Sequence, residues 1–499
     1  MHLLLLLNSP LSLRPFVDTV RTLAERGHRV TIGWPPKSAR GHDTAPAALA
    51  STEGVQFADV PSTRDERRVE VGLLRRTRTY VRYLDPPFHS ASKLRRRAFS
   101  RLLRAALTDS SPIDPALADT PVALPRRDIK RLAETLDWLE SLVPPDPASI
   151  ALLRDGGYDA VLVSPLVDLS SSGQADVVKA ARHVGIPAGL LVYSWDNLST
   201  KGSLHVMPDT VFTWNQVQRD EAVKLHGVPA AQVVVTGAPR FDTFLGRAPI
   251  FARHQFLTAL ALDPSKPVLM YVCSSAFVSG DESVFIRRWI AALRNSPSAD
   301  VRSCGVIIRP HPDIALTGMN VPGHKLDFAF DGVPVTTRRP FDDPHVVVVS
   351  TTSVTPQGLY ECLSHSDAVV GLNTSAEIEA GLLGRPVFSV LAGDYADGQQ
   401  TTLHFHYLLR EQGGFVEAAG SFEQHIEQLH ALLSLTPKQR LRHARGVTRR
   451  AMKFVRPLGA DVPVAGLLAD AIEREMLARP RPVAGDAAAR PPIRRVPQA

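Results

Sequence analysis

Four clusters of polar side chains stand where apolar runs give way to turns or helices, and their types suit phosphate and hydroxyl chemistry. In Arg309-Pro310-His311-Pro312, two prolines stiffen a turn after the apolar run Gly305–Ile308. An arginine fork and an imidazole held at a strand end make a cationic, hydrogen-bonding corner suited to a nucleotide phosphate. Cys273-Ser274-Ser275 is a loop of small hydroxyls after another apolar run. Asn373-Thr374-Ser375 joins the run Ala368–Leu372 to a helical pattern over Ala376–Leu383. Each of the three is a good helix N-cap, and the free N–H groups and dipole of such a junction attract anions. Glu379, one turn on, can accept hydrogen bonds from sugar hydroxyls. The plainer reading is a crossover helix whose Asn-Thr-Ser is only a cap. The fourth cluster, Ser194–Gly202, carries Trp195 as an aromatic platform, Asp196, Asn197, a hydroxyl pair and Lys201. Asp196 has the chemistry of a general base toward an acceptor hydroxyl. Equally, Asp196 and Asn197 could fix the loop's own backbone. Asp168 is a competing base in the preceding loop. Asn8 either lines a cleft or serves as turn chemistry.

These clusters need strands to hold them, and the hydrophobic pattern supplies strands in alternation with helices. His2–Leu7, His28–Gly33, Tyr158–Ser164, Ala188–Tyr193, Asp209–Trp214 and Val233–Thr236 are short apolar runs separated by helical spacing. A second series follows at Pro267–Val272, Gly305–Ile308, Val346–Ser350, Ala368–Leu372 and from Arg385. Such alternation predicts parallel sheets covered by helices, with sites at the C-terminal strand ends. Gly237–Asp242 looks like a hinge between the two series. Gly393–Thr402 is rich in Gly, Asp and Gln, and Thr402–Tyr407 adds two histidines. Helices are expected over Phe422–Leu433, Pro437–Lys453 and Val464–Leu477. No GxGxxG follows the first strand, so the dinucleotide fingerprint is missing.

Residues 62–150 break the rhythm. Arg64, Arg67, Arg68, Arg75, Arg76, Arg78 and Arg82, then Lys93, Arg95, Arg96, Arg97, Arg101 and Arg104, are interleaved with Leu, Tyr and Phe. The expectation is an insertion of helices with a basic face. That face suits an anionic membrane surface or an anionic acceptor, with nucleic acid the disfavoured partner. A merely solvated face is the alternative.

The chain has 499 residues, 44 % of them hydrophobic and 21 % charged, with a net charge of +7. That is ample for two cores in a globular protein. Cys273, Cys304 and Cys362 lie far apart in apolar surroundings, which argues against a disulfide framework or a Cys-based metal site. Leu3–Leu7 is too short for a signal segment, and no run approaches a membrane span. A cytoplasmic protein, peripheral at the inner membrane face if the insertion meets lipid, is expected.

Taken in order, these features resemble a GT-B glycosyltransferase. Thr236–Asp242 resembles the hinge of CDP-glycerol glycerophosphotransferases and Kdo transferases. Arg309-Pro310-His311-Pro312 resembles the His-Pro element of enzymes using cytidine-linked donors. Asn373-Thr374-Ser375, with Glu379 and Gly384-Arg385-Pro386-Val387, resembles their phosphate loop and helix. Ser194-Trp195-Asp196-Asn197, Lys201-Gly202 and Phe454-Val455-Arg456-Pro457 are similar to uncharacterised bacterial GT-B proteins linked to surface polysaccharides. The resemblance covers roughly residues 1–60 and 155–478. The basic insertion departs from it, and the two-carboxylate donor site of many retaining enzymes is not evident.

The resemblance implies an α/β protein of GT-B type, two doubly wound parallel-sheet domains facing across a cleft. Residues 1–242 would form the acceptor domain and 243–455 the nucleotide-donor domain. A helix over 456–478 would cross back, and 479–499 would be a disordered tail. The implied reaction moves a sugar, or a polyol phosphate, from a nucleotide-activated donor to a surface-glycan or lipid-linked acceptor. Asp196 or Asp168 would act as base, and Asn8, Trp195, Asn197 and Lys201 would lie on the acceptor side. Ser274, Ser275, Arg309, His311, Asn373, Thr374, Ser375 and Glu379 would hold the donor, without metal or cofactor. Two alternatives stand beside it: a non-hydrolysing sugar-nucleotide epimerase of the same architecture, and a non-catalytic basic scaffold binding membrane or nucleic acid.

Overall fold

The leucine run at the N-terminus forms strand β1, His2–Leu7. Its side chains alternate between two cores: Leu3, Leu5 and Leu7 enter one cluster, Leu4 and Leu6 another. A strand buried on both faces belongs inside a parallel sheet with helices above and below. The computed structural model describes residues 1–35, 47–60, 68–107, 124–169, 173–311, 321–351 and 355–477. Arg64, Arg67, Pro312 and the tail from 479 lie outside the described residues.

The chain divides into two units. The first comprises Met1–His89, Leu94–Pro239 and the chain from Pro463; the second comprises Ser90–Lys93 and Arg240–Val462. The first unit's further strands are β2 Arg29–Trp34, β3 Val55–Asp59, β4 Ala160–Ser164, β5 Ala188–Leu191, β6 Thr210–Thr213 and β7 Val233–Val235. They form one sheet in the order β3-β2-β1-β4-β5-β6-β7, with every neighbouring pair parallel. Helix α1 is Val17–Glu25, preceded by a 3₁₀ turn over Pro10–Phe16. Pro15 lies inside that turn, and the α-helix begins only at Val17. The last α-helix, Val464–Ile472, packs on α1 and places Leu468, Ala469 and Ile472 in the core of Leu3 and Leu5.

Three helices of the insertion are α2 Arg68–Arg82, α3 Ser92–Ala106 and α4 Arg126–Leu142. Helices α2 and α4 share a small core of Val81, Leu84, Ile129 and Leu136.

The second unit's strands are β8 Val268–Val272, β9 Gly305–Arg309, β10 His324–Phe330, β11 Val333–Arg338, β12 Val346–Thr351, β13 Ala368–Gly371, β14 Val387–Val390 and β15 Val416–Ala419. The sheet order is β10-β11-β12-β9-β8-β13-β14-β15. Strands β12 to β15 are parallel in that order, while β10 and β11 are antiparallel at one edge. The sequence reading missed this hairpin. Its signal was present: Asp331 and Gly332 have φ of 49° and 76°, the two left-handed residues that an Asp-Gly hairpin turn requires.

Candidate functional site

In the second unit the strand order turns back on itself between β8 and β13. The chain runs outward from that line through β9 and β12 on one side and β14 and β15 on the other. Open α/β sheets bind ligands beyond the carboxyl ends of the strands at such a switch point. Ser274 and Ser275 follow β8, and Asn373, Thr374 and Ser375 follow β13. The Asn373 backbone N–H donates to Ser274 Oγ at 3.3 Å, joining the two loops. Ser274 is fully buried, whereas Ser275, Thr374 and Ser375 keep partial exposure at the edge.

Asn373 is not a helix cap. Its Nδ2 donates to Gly398 O at 2.8 Å, Thr402 Oγ1 at 3.3 Å and His404 Nε2 at 3.2 Å. Gln399 Nε2 sews the same segment to Leu372 O, Ser389 Oγ and Val390 O at 2.8, 2.9 and 3.1 Å. The Gly/Asp/Gln-rich segment is thereby fastened to the ends of β13 and β14. Ser375 is the N-cap but makes no side-chain cap. The helix it opens, α-helical over Ala376–Leu382, has only seven residues, too short for the expected dipole-based anion site to carry weight.

Two carboxyls behind this edge escaped the sequence reading. Glu377 is wholly buried. Its Oε2 accepts from the Thr374 N–H at 3.4 Å, and its Oε1 has no hydrogen-bond partner among the described residues. Burial pushes its pKa up to about 8, and the neighbouring Glu282 adds to the rise. Glu282 is also raised by burial; it accepts from Tyr271 OH at 2.7 Å and from the Ser274 N–H at 2.9 Å. A neutral carboxyl at 377 can sit beside a bound phosphate without repelling it. Its signal was the helical period: two residues apart on a helix, Glu377 and Glu379 point to nearly opposite sides, so one must face the core. Glu379 is the outer one. It lies 3.8 Å from Arg240 and keeps 14 % side-chain exposure.

Arg309 departs from its expected role. Its guanidinium is turned sideways onto the end of β12, donating to Val349 O at 3.4 Å, Thr351 Oγ1 at 3.2 Å and Thr355 Oγ1 at 3.0 Å. It braces the sheet edge instead of pointing out from it. His311 is partly exposed past the end of β9, and its backbone N–H is directed at the Cys273 sulfur.

In the first unit, the switch point lies between β1 and β4. Gln174 fills it: its Nε2 donates to Asn8 Oδ1 at 2.9 Å, Leu6 O at 3.2 Å and Ser164 O at 2.7 Å, and its Oε1 accepts from the Leu166 N–H. Asn8 is thus a partner of Gln174. Asp168 is partly exposed after β4, and its carbonyl packs against Gly202 so closely that a Cβ there would lie 2.0 Å away.

The Ser194–Gly202 loop is held from within and from the insertion. Asn197 Oδ1 accepts from the Ser194 N–H at 2.6 Å. Asp196 Oδ2 accepts from Thr200 Oγ1 at 2.9 Å and lies 3.3 Å from Lys201 Nζ. Trp195 is 5 % exposed, so it is a core residue and no open platform. Arg82 donates to Gly202 O at 2.6 Å and to Leu198 O. Tyr83 OH donates to Lys201 O, and Arg97 to Thr200 O. Arg82 is 5 % exposed and stacks on Phe88. His226 completes the frame, its Nδ1 accepting from the Leu204 N–H and its Nε2 donating to Leu198 O at 2.8 Å. Burial keeps that imidazole well below its ordinary pKa. Arg75 is buried too, bound to Glu140 and Asp176. Part of the expected basic face is therefore internal: Arg82 and Arg97 hold the loop that carries Asp196, and Arg75 ties Glu140 to Asp176.

The sheet edge in the second unit brings together Ser274, Ser275, Asn373, Thr374 and Ser375, with His311 beyond the adjacent strand. In the first unit Asp196, Asn197 and Lys201 share one loop. Among the described residues, no group of three His, Cys, Asp or Glu side chains is arranged to hold a metal ion.

No protein-family model and no curated protein sequence matches the chain. Solved structures do. A Listeria monocytogenes protein described as a UDP-N-acetylglucosamine 2-epimerase is 11 % identical, with a TM-score of 0.52 over 96 % of this chain and 98 % of that one. A glycosyltransferase from Rickettsia africae is 8 % identical, with a TM-score of 0.51 over 96 % of this chain and 99 % of that one. Likeness at such identities establishes the architecture, and together with the two sheet topologies it shows that this chain has the GT-B fold.

Proposed function

We propose that the protein transfers a sugar, or a polyol phosphate, from a nucleotide-activated donor to a hydroxyl of a surface-glycan or lipid-linked acceptor. The observation that supports this most is the β8–β13 edge. Partly exposed hydroxyls of Ser275, Thr374 and Ser375 stand there over fastened loops, with a buried neutral carboxyl behind them. Such an edge offers hydrogen-bond donors to a diphosphate, and the protonated Glu377 behind it does not repel the charge. His311 supplies a further donor, and Glu379 accepts from a donor hydroxyl. Asp196 is the base toward the acceptor, with Asp168 in reserve and Lys201 orienting Asp196.

The second reading is interconversion of a free sugar nucleotide, supported by the fold shared with the Listeria protein. Incubation with UDP-, CDP- and CMP-linked sugars, with and without a lipid-linked acceptor pool, separates the two. Transfer gives nucleotide release that depends on acceptor and is lost in Asp196→Asn. Epimerisation gives an altered sugar nucleotide with no acceptor present. Neither change with any donor would remove the transfer reading.

A further inference from the structure

The longest helix of the second unit, Pro437–Val455, carries seven Lys and Arg residues and no Asp or Glu. Val447, Ala451 and Val455 bury one side against the Ala376–Leu382 helix. Two of its cations are used locally or lie partly covered: Arg440 donates to Leu435 O and Leu433 O, and Arg450 is half-buried. The other five, Lys438, Arg442, Arg445, Arg449 and Lys453, are all exposed. Spaced by four, three, four and four residues, they fall within about 80° of one another on the helix and run about 22 Å along it.

No described carboxylate lies within ion-pair distance of any of these five. Other exposed helix cations are paired within their own helix, as Lys224 is with Asp220 and Lys130 with Glu134. Here like charges stand four apart, which disfavours the helix itself. An external anionic surface would relieve that repulsion. Apolar side chains border the stripe: Leu441 is 54 % exposed, and Leu458 and Val462, just past the helix, are 55 % and 41 % exposed. Cations flanked by exposed aliphatic groups match the headgroup region of a bilayer. A single-stranded nucleic acid would instead call for aromatic platforms, and the exposed positions of this helix hold none.

We infer that the exposed face of the Pro437–Val455 helix docks the protein onto an anionic lipid surface. The proposal is independent of the reaction catalysed. It also shifts the membrane contact away from the Arg-rich insertion, several of whose arginines are turned inward.

The test is co-sedimentation of the full-length protein with phosphatidylcholine vesicles, with and without 30 mol % phosphatidylglycerol, at low and physiological salt. The wild type is expected to bind the anionic vesicles, more weakly as salt rises, and to leave neutral vesicles in solution. Arg442→Glu/Arg445→Glu/Arg449→Glu, three exposed exchanges that leave the core intact, is expected to lose about a hundredfold in partition. Arg101→Glu/Arg104→Glu in the insertion is expected to bind as the wild type does. Circular dichroism and the melting temperature confirm that both variants are folded. Equal binding by the wild type and the triple variant, loss of binding in the insertion variant alone, no vesicle binding at all, or stronger binding to single-stranded DNA than to vesicles at the same salt would each overturn the assignment.

Discussion

Glu377→Gln tests the buried carboxyl behind the β8–β13 edge. The folded protein holds Glu377 protonated up to about pH 8, because burial outweighs the single hydrogen bond from the Thr374 N–H. In the unfolded chain the same group ionises near its ordinary value of 4.5. Below that pH both states are protonated and the residue is neutral toward stability. From there up to about 8 the unfolded state releases a proton that the folded state keeps, so folding stability falls as pH rises. Each pH unit in that window costs about 1.4 kcal/mol, on the order of 5 kcal/mol over the whole of it and about 3 kcal/mol by pH 7. Glutamine keeps an oxygen for the Thr374 N–H and never ionises. Urea denaturation of both proteins at pH 5, 6, 7 and 8, followed by circular dichroism, measures the difference. The variant is expected to match the wild type near pH 5 and to exceed it progressively up to pH 8. Glu282 is retained in both proteins, so the difference isolates Glu377. A difference that stays flat from pH 5 to 8 would refute the protonated carboxyl.

Other exchanges probe the frame around the two sites. Arg82→Met leaves the Leu198 and Gly202 carbonyls without their donor. It is expected to cost about 2–4 kcal/mol and to speed amide exchange across residues 194–204, read by hydrogen-exchange mass spectrometry. His425 is buried between Trp289 and Phe388, and burial lowers its pKa to about 4. The unfolded state therefore binds the extra proton first, and stability is lost as pH falls from 6.5 to about 4; His425→Leu is expected to remove that acid loss in denaturation curves. At the β10–β11 turn, Gly332→Val forces a β-branched residue into the left-handed region and is expected to lower stability by about 1–2 kcal/mol, measured as a urea midpoint.

The central strands of both sheets were legible in the sequence because they are buried on both faces, whereas β3, β10, β11 and β15, at or next to the sheet edges, were not. Val268–Val272 and Ala368–Gly371 can be found as apolar runs, and the small polar residues after them mark the strand ends. What the pattern could not supply was direction. Arg309 stands at the end of β9 as expected, yet its fork closes on Thr351 and Thr355, residues more than forty positions later. Asn373 likewise spends its amide on Gly398 and Thr402, and Trp195 turns into the core. These outcomes depend on which loops meet, and long-range meetings leave no local signal. The basic insertion shows the same limit: its spacing announces helices with cations, but only the fold reveals that Arg75, Arg82 and Arg97 point inward. Glu377 was within reach, since helical period alone separates it from Glu379.

The most direct test of the account is thermal unfolding in the presence of CMP, CDP, UDP, GDP and TDP, each well above its dissociation constant. A nucleotide at a hundredfold excess over that constant adds about 2.7 kcal/mol to the folded state. At least one of the five is expected to raise the melting temperature, and Ser375→Leu/His311→Ala, both altered at the sheet edge, is expected to abolish the rise while keeping the unliganded melting temperature. A rise that survives in the double variant, or no rise with any nucleotide, would contradict a donor site at the β8–β13 edge.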